Sequence, residues 1–65
     1  MGLPKNRLRA YRERGKFTQE KLADALGVTR QTIISIETGR YVPSLQMALR
    51  LARVFECKVE DLFGI

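Results

Sequence analysis

The chain has no histidine and a single cysteine among its 65 residues. A lone Cys57 cannot close an internal disulfide, and one thiol without imidazole makes neither a zinc constellation nor a histidine-based catalytic triad. No nucleophile stands beside a base and no glycine-rich loop of the phosphate-cradling kind is present, so no catalytic residue, metal or cofactor is assigned and an enzyme is not expected. No apolar run approaches the ~18 to 20 residues of a membrane span, and the first residues lack a signal-peptide core. Internal repeats, low-complexity tracts and a linker are also missing. These absences leave one small domain over residues 1–65, expected to be soluble and cytoplasmic, without a membrane partner. By the size scaling such a domain buries only roughly 60% of its unfolded surface, so its stability is expected to lean on a partner subunit.

Acidic residues are scarce where basic ones gather. Lys5, Arg7, Arg9, Arg12, Arg14 and Lys16 face Glu13 alone before residue 17, which accounts for the whole formal charge of +5, and six basic and six acidic residues cancel thereafter. A basic first third suits a surface that faces phosphate, although a basic solvated helix has the same composition.

The stretch from Thr18 to Arg40, TQEKLADALGVTRQTIISIETGR, organises the rest. Thr18 is an N-cap, with Lys21 in place of the acidic residue of a full capping box, and Glu20 in the first turn suits the helix dipole. Leu22, Ala23 and Leu26 share a helical face, and Gly27 stands where a C-terminal stop needs positive φ. Val28 is the apolar residue of the turn and Thr29 caps the next helix, from about Arg30 to Glu37, giving a helix-turn-helix over about residues 18–37. Ile33 and Ile36 share a face with Val28 and Glu37, whereas Arg30, Gln31, Ile34 and Ser35 group on the other. Arg and Gln carry paired donors and acceptors that match guanine and adenine edges, and an Ile beside them packs on a thymine methyl. An Arg-Gln pair seen alone is ordinarily a solvated face. Two short helices about a glycine-bearing turn favour base contacts by Arg30, Gln31, Ile34 and Ser35, with Thr29, Thr32 and Arg40 on phosphates.

The flanks are read as support. A first helix from about Lys5 to Arg14 buries Leu8 and Tyr11 and stops at Gly15, and Phe17 is placed as a hydrophobic staple on the following helix. Arg12 projects from that first helix toward phosphate or into an internal pair. Gly39 caps the third helix, and Pro43-Ser44 introduces a fourth from Leu45 to about Phe55, which carries two apolar stripes. Leu45, Ala48, Leu49, Ala52 and Phe55 are assigned to the core. Met47, Leu51 and Val54, roughly 130° away by helical geometry, are assigned with Val59, Phe63 and Ile65 to a homodimer interface. The alternative is that the last helix, ending near Phe63 with Leu62 inward, folds over that second stripe within one subunit. Cys57 is a small apolar junction residue.

The segments TQEKLADALGVTRQTIISIETGR and YVPSLQMALRLARVFECKVEDLF resemble the Xre/Cro/phage-repressor helix-turn-helix family, from about Asn6 to Phe63. Thr18-Gln19, Leu22-Ala23, Leu26-Gly27-Val28, Ile33, Ile36-Glu37, Gly39, Pro43 and Leu62 sit in the family's spacing. The resemblance implies an all-α, five-helix, lambda-repressor-like domain that binds double-stranded DNA sequence-specifically. It also implies that Arg12 pairs with Glu37, and that Gln19 and the loop after the reading helix contact the DNA backbone. Thr38, in that loop, stands where the family frequently has Asn at a phosphate contact. The expected function is a transcriptional regulator, a repressor, acting as a homodimer on a pseudo-palindrome with half-sites roughly 34 Å apart. Its control would come from concentration, another protein or an unknown effector at the interface. An antitoxin-like module, with DNA binding secondary to a protein partner, is the alternative.

Overall fold

Helix stops shape this chain as much as helix starts. The computed structural model describes residues 6–64. They form α1 (Leu8–Arg14), α2 (Gln19–Leu26), α3 (Arg30–Glu37), α4 (Leu45–Val54) and α5 (Val59–Phe63), with no strand among the described residues, an all-α arrangement of lambda-repressor type. Thr18, Thr29 and Ser44 each take extended backbone and accept, through the side-chain oxygen, the amide of Lys21, Thr32 and Met47. Each such cap stabilises its helix by about 1 kcal/mol over alanine.

Four helices end in the same way. The amides of Phe17, Val28, Arg40 and Cys57 donate back to the carbonyls of Arg12, Ala23, Ser35 and Ala52, and the residue preceding each donor is left-handed: Lys16 (φ 62°), Gly27 (71°), Gly39 (78°) and Glu56 (53°). This is the Schellman stop, which turns the chain sharply while satisfying the last carbonyls. Glycine takes that conformation freely; Lys16 and Glu56 take it at a cost of about 1–2 kcal/mol each. Gly15 ends α1 as expected, but with φ −81° and not in the left-handed region. Its lack of a Cβ serves a close approach, since a Cβ there would lie 3.3 Å from Phe17 Cδ2. The Phe17 ring meets Phe55 edge-on at 5.7 Å, and Phe55 also touches Tyr11 at 6.1 Å, which ties the end of α4 to the α1–α2 turn.

The core is Leu8, Leu22, Ala23, Leu26, Ile33, Ile36, Leu51, Ala52 and Leu62. From the stripe of α4 assigned to the core, Ala48, Ala52 and Phe55 do pack inward, but Leu45 and Leu49 do not, and the second stripe turns inward as well. Leu51 is fully buried, Met47 and Val54 pack against the core, and Val59 and Phe63 do the same from α5. Leu45 and Leu49 are exposed. Leu51, being fully buried, is withdrawn from the intersubunit face expected for it; Met47, Val54, Val59 and Phe63 are half-buried against the core, and Ile65 lies outside the described residues. The physical reason is the Schellman stop at Glu56, which folds α5 back so that Leu62 closes over the Leu51 side of α4.

Cys57 sits half-buried in that turn. Burial, followed by the negative charge of Asp61, raises its thiol pKa above the ordinary value. It stays a thiol, consistent with a packing role.

Candidate nucleic-acid interface

The site is built on α3, and its inner side is fixed first. Ile33 and Ile36 are fully buried against Leu22, Ala23 and Leu26 of α2, so α3 cannot roll about its axis without exposing two isoleucines. The carbonyls of Ile34, Ser35 and Ile36 near its C-terminal end are engaged. Ile34 receives the Thr38 amide and hydroxyl, Ser35 receives the amides of Arg40 and Tyr41, and Ile36 receives the Gly39 amide. A second donor to the Ile36 carbonyl comes from Asn6, whose Nδ2 lies 2.7 Å away while its Oδ1 accepts the Leu8 amide at 3.0 Å. Asn6 thus caps α1 and pins the end of α3 with one side chain. Sequence reasoning missed it by starting α1 before Asn6; an Asn ahead of an apolar helical run was the available signal.

Arg12 and Glu37 lock α1 to the same end. Arg12 Nε donates to Glu37 Oε2 at 2.5 Å and Nη2 to Oε1 at 3.4 Å, while Nη1 donates to the Phe17 carbonyl at 2.9 Å. The two side chains are only 11% and 6% exposed. Gln19 Nε2 adds a donor to Glu37 Oε1 at 3.3 Å. The forked guanidinium satisfies the carboxylate from two directions, as a compact ammonium would not. Arg12 therefore faces inward with its three nitrogens engaged, and Gln19 commits one amide hydrogen to the same carboxylate.

The outer side is open. Arg30 and Gln31 are exposed, Ile34 and Ser35 half-exposed, and Gln31 Nε2 rests 3.5 Å from Ser35 Oγ on the same face. Thr29 Oγ1 accepts the Thr32 amide at 3.3 Å and shares one hydrogen with Thr32 Oγ1 at 3.0 Å, which leaves the pair one hydroxyl hydrogen to offer outward. Arg40 is exposed beyond the helix end. Thr38 differs: its single hydroxyl hydrogen is directed at the Ile34 carbonyl, 2.9 Å away, with the Ser35 carbonyl at 3.3 Å. In this arrangement Thr38 caps the end of the helix. Beside α3 a cleft of about 1000 Å³ opens between α1 and the start of α2, with Arg9, Arg30, Thr18 and Gln19 on its walls. The start of α2 lies at this cleft, where the Lys21 amide is taken by Thr18 Oγ1 and Glu20 also lines the wall.

Similarity to known proteins follows the same outline. A family model described as helix-turn-helix matches residues 8–62. An uncharacterized HTH-type transcriptional regulator of Methanocaldococcus jannaschii is 54% identical over 59 residues, covering 91% of this chain and 89% of that protein. The uncharacterized HTH-type transcriptional regulator YgzD of Bacillus subtilis is 49% identical over 61 residues, 94% of this chain and 92% of its own. One from Archaeoglobus fulgidus is 48% identical over 59 residues, 91% and 84%. With the buried α2–α3 pair, its glycine turn and its polar outer face in place, the chain belongs to the Xre-like helix-turn-helix family of DNA-binding transcriptional regulators, which are not enzymes.

Proposed function

We propose that this regulator is a sequence-specific repressor that reads the major groove with α3, as a cytoplasmic, nucleoid-associated homodimer on a pseudo-palindromic site. The observation that carries the reading is the division of α3 into a locked inner side and an open outer side bearing Arg30, Gln31, Ile34 and Ser35. Those four take the base edges. Gln19, Thr29, Thr32 and Arg40 take the flanking phosphates, and the residues 1–65 act as one domain. Repression follows from occupancy alone, because a DNA-reading surface on a promoter excludes other proteins from it.

Two substitutions separate reading from positioning. Gln31→Ala lowers affinity for the preferred duplex by about 1–3 kcal/mol and relaxes preference at one base position. An unchanged binding profile would remove Gln31 from the site. Arg40→Ala weakens binding to every duplex alike and lowers the slope of log affinity against log salt by about one unit, the signature of one lost phosphate contact. An unaltered slope would place the α3–α4 loop away from the backbone. The reading as a whole is tested by selecting bound duplexes from a random pool at near-physiological salt. A motif with two-fold symmetry supports it, and recovery of nothing above background from folded protein overturns it.

A further inference from the structure

Asn6 grips the last turn of α3 by its main chain, from a point that is itself held. Its Nδ2 donates to the Ile36 carbonyl at 2.7 Å, across 30 residues of sequence. On the other side its Oδ1 accepts the Leu8 amide at 3.0 Å. The next residue, Arg7, donates its amide to the Leu62 carbonyl at 2.7 Å and its Nη1 to the Asp61 carbonyl at 3.2 Å. Asn6 therefore bridges a fixed corner, where α1 starts against the end of α5, and the helix whose outer side is open. The other side-chain link from α1 to that turn, Arg12 to Glu37, ends on a side chain with rotatable bonds between it and the α3 backbone. Asn6 ends on the backbone itself.

We propose that Asn6 is a positioning residue for base recognition: its amide sets how far the C-terminal half of α3 reaches into the groove, and with it the contacts of Ile34 and Ser35. The inference rests on the reading of α3 given above. Packing leaves this freedom open. Buried Ile33 and Ile36 keep α3 from rolling, and the Gly27 turn with the Thr29 cap holds its first turn to α2. Neither fixes the swing of the far end, because apolar contact is non-directional whereas a hydrogen bond prefers one distance and one line. The displacement of a helix held at its first turn grows along its length. Loss of the Asn6 link therefore moves Arg30 and Gln31 least, and Ile34 and Ser35 most. Direct base contacts tolerate errors of only about 0.5 Å, so they suffer first. Phosphate contacts carry no sequence information and draw on long-range charge, so binding to unrelated duplexes is spared. Asn6 also lines the cleft beside Arg30, and one Nδ2 hydrogen is left over. A direct phosphate contact is thus the competing role, with the opposite signature.

Two variants take the side chain apart. Asn6→Ser stays neutral and keeps an oxygen for the Leu8 amide, but falls one bond short of Ile36. Asn6→Asp keeps the shape and that oxygen, and sets a second acceptor against the Ile36 carbonyl; it decides the matter should Asn6→Ser fail to fold. Each is measured by anisotropy on the selected duplex and on an unrelated one, at temperatures where circular dichroism shows it folded, and by repeating the duplex selection. Gln31→Ala and Ser35→Ala, selected in parallel, mark the base positions that belong to each half of α3. For Asn6→Ser the affinity for the selected duplex falls roughly 3- to 10-fold, while affinity for the unrelated duplex and its salt dependence stay at wild-type values. Preference relaxes at the positions that Ser35→Ala marks and persists at those that Gln31→Ala marks. Asn6→Asp loses more on the selected duplex, beyond the part its added charge takes equally from both. In the free protein, the amide resonances of Thr38 and Gly39 shift and those of Arg30 and Gln31 do not. Full preference in both folded variants, or a loss spread evenly over all base positions, overturns the proposal. An equal loss by Asn6→Ser on both duplexes does so too, and makes Asn6 a phosphate contact. Wild-type preference that survives such a result shows that the assignment of Asn6 failed and the reading of α3 did not; a wild-type chain without any duplex preference overturns that reading and this assignment with it.

Discussion

Leu51→Glu unfolds the protein, whereas Leu49→Glu, two residues earlier on the same helix, leaves it folded. Leu51 is fully buried among Leu8, Leu22, Ile36 and Leu62 of the core cluster, while Leu49 is 49% exposed. Even Leu51→Ala removes side-chain atoms from a closed core and costs about 2–5 kcal/mol. A glutamate at that position loses the same packing and must also desolvate a carboxylate or bind a proton to avoid doing so. A domain of this size has a total stability of only about 3–10 kcal/mol, so either change consumes most of it. Thermal melts and urea titrations followed by circular dichroism check the pair. The expected result is no cooperative transition for Leu51→Glu, a lowered midpoint for Leu51→Ala and a near-wild-type curve for Leu49→Glu. A Leu51→Glu variant that melts with the wild type would mean that α4 presents its other face to the core.

That contrast shows where the sequence was decisive and where it was not. In α2 and α3 the large apolar residues gather on one face, Ile34 excepted, so Leu22, Leu26, Ile33 and Ile36 could be placed inside from periodicity alone, and all four are buried. The helix ends there were equally legible, because Thr18 and Thr29 cap by their chemistry and Gly27 has φ 71°. In α4 the pattern carries two apolar stripes, and periodicity does not say which is inward. Choosing the more populous stripe placed Leu45 and Leu49 inside; the outcome is set instead by the return of α5, a long-range effect. The stop that produces the return lies at Glu56, a residue type that gives no warning of a left-handed backbone, and the same holds for Lys16 beside the more conspicuous Gly15. The capping roles of Asn6 and Thr38 were not legible for a related reason. Their side chains bond to the carbonyls that end α3, and those partners exist only once the helix end has been closed by the chain around it.

Arg12→Ala costs about 3–5 kcal/mol of stability, several times what a surface ion pair yields, since it leaves the Glu37 carboxylate buried with Gln19 as its remaining side-chain donor. Glu37→Ala strands the Arg12 guanidinium in the same pocket, where the Phe17 carbonyl is its one other acceptor, and belongs in the same range. Joint replacement, Arg12→Met with Glu37→Leu, removes both charges while filling their space, and is expected to cost less than either single truncation because nothing is left uncompensated. The DNA readout separates these variants further. Glu37 lies on the wall of the cleft beside Arg30, so an unpaired carboxylate there opposes phosphate; Arg12→Ala should therefore weaken DNA binding more at low salt than at high salt, measured at temperatures where the variant is folded. The double replacement leaves no such charge and recovers affinity in step with its recovered stability. Urea titrations of the wild type and of all three variants, with anisotropy on one operator duplex at two salt concentrations, check both parts. Losses below about 1 kcal/mol for both single truncations would show that the pair contributes like an exposed one, and that the end of α3 is held instead by Asn6 and the Schellman stop at Gly39.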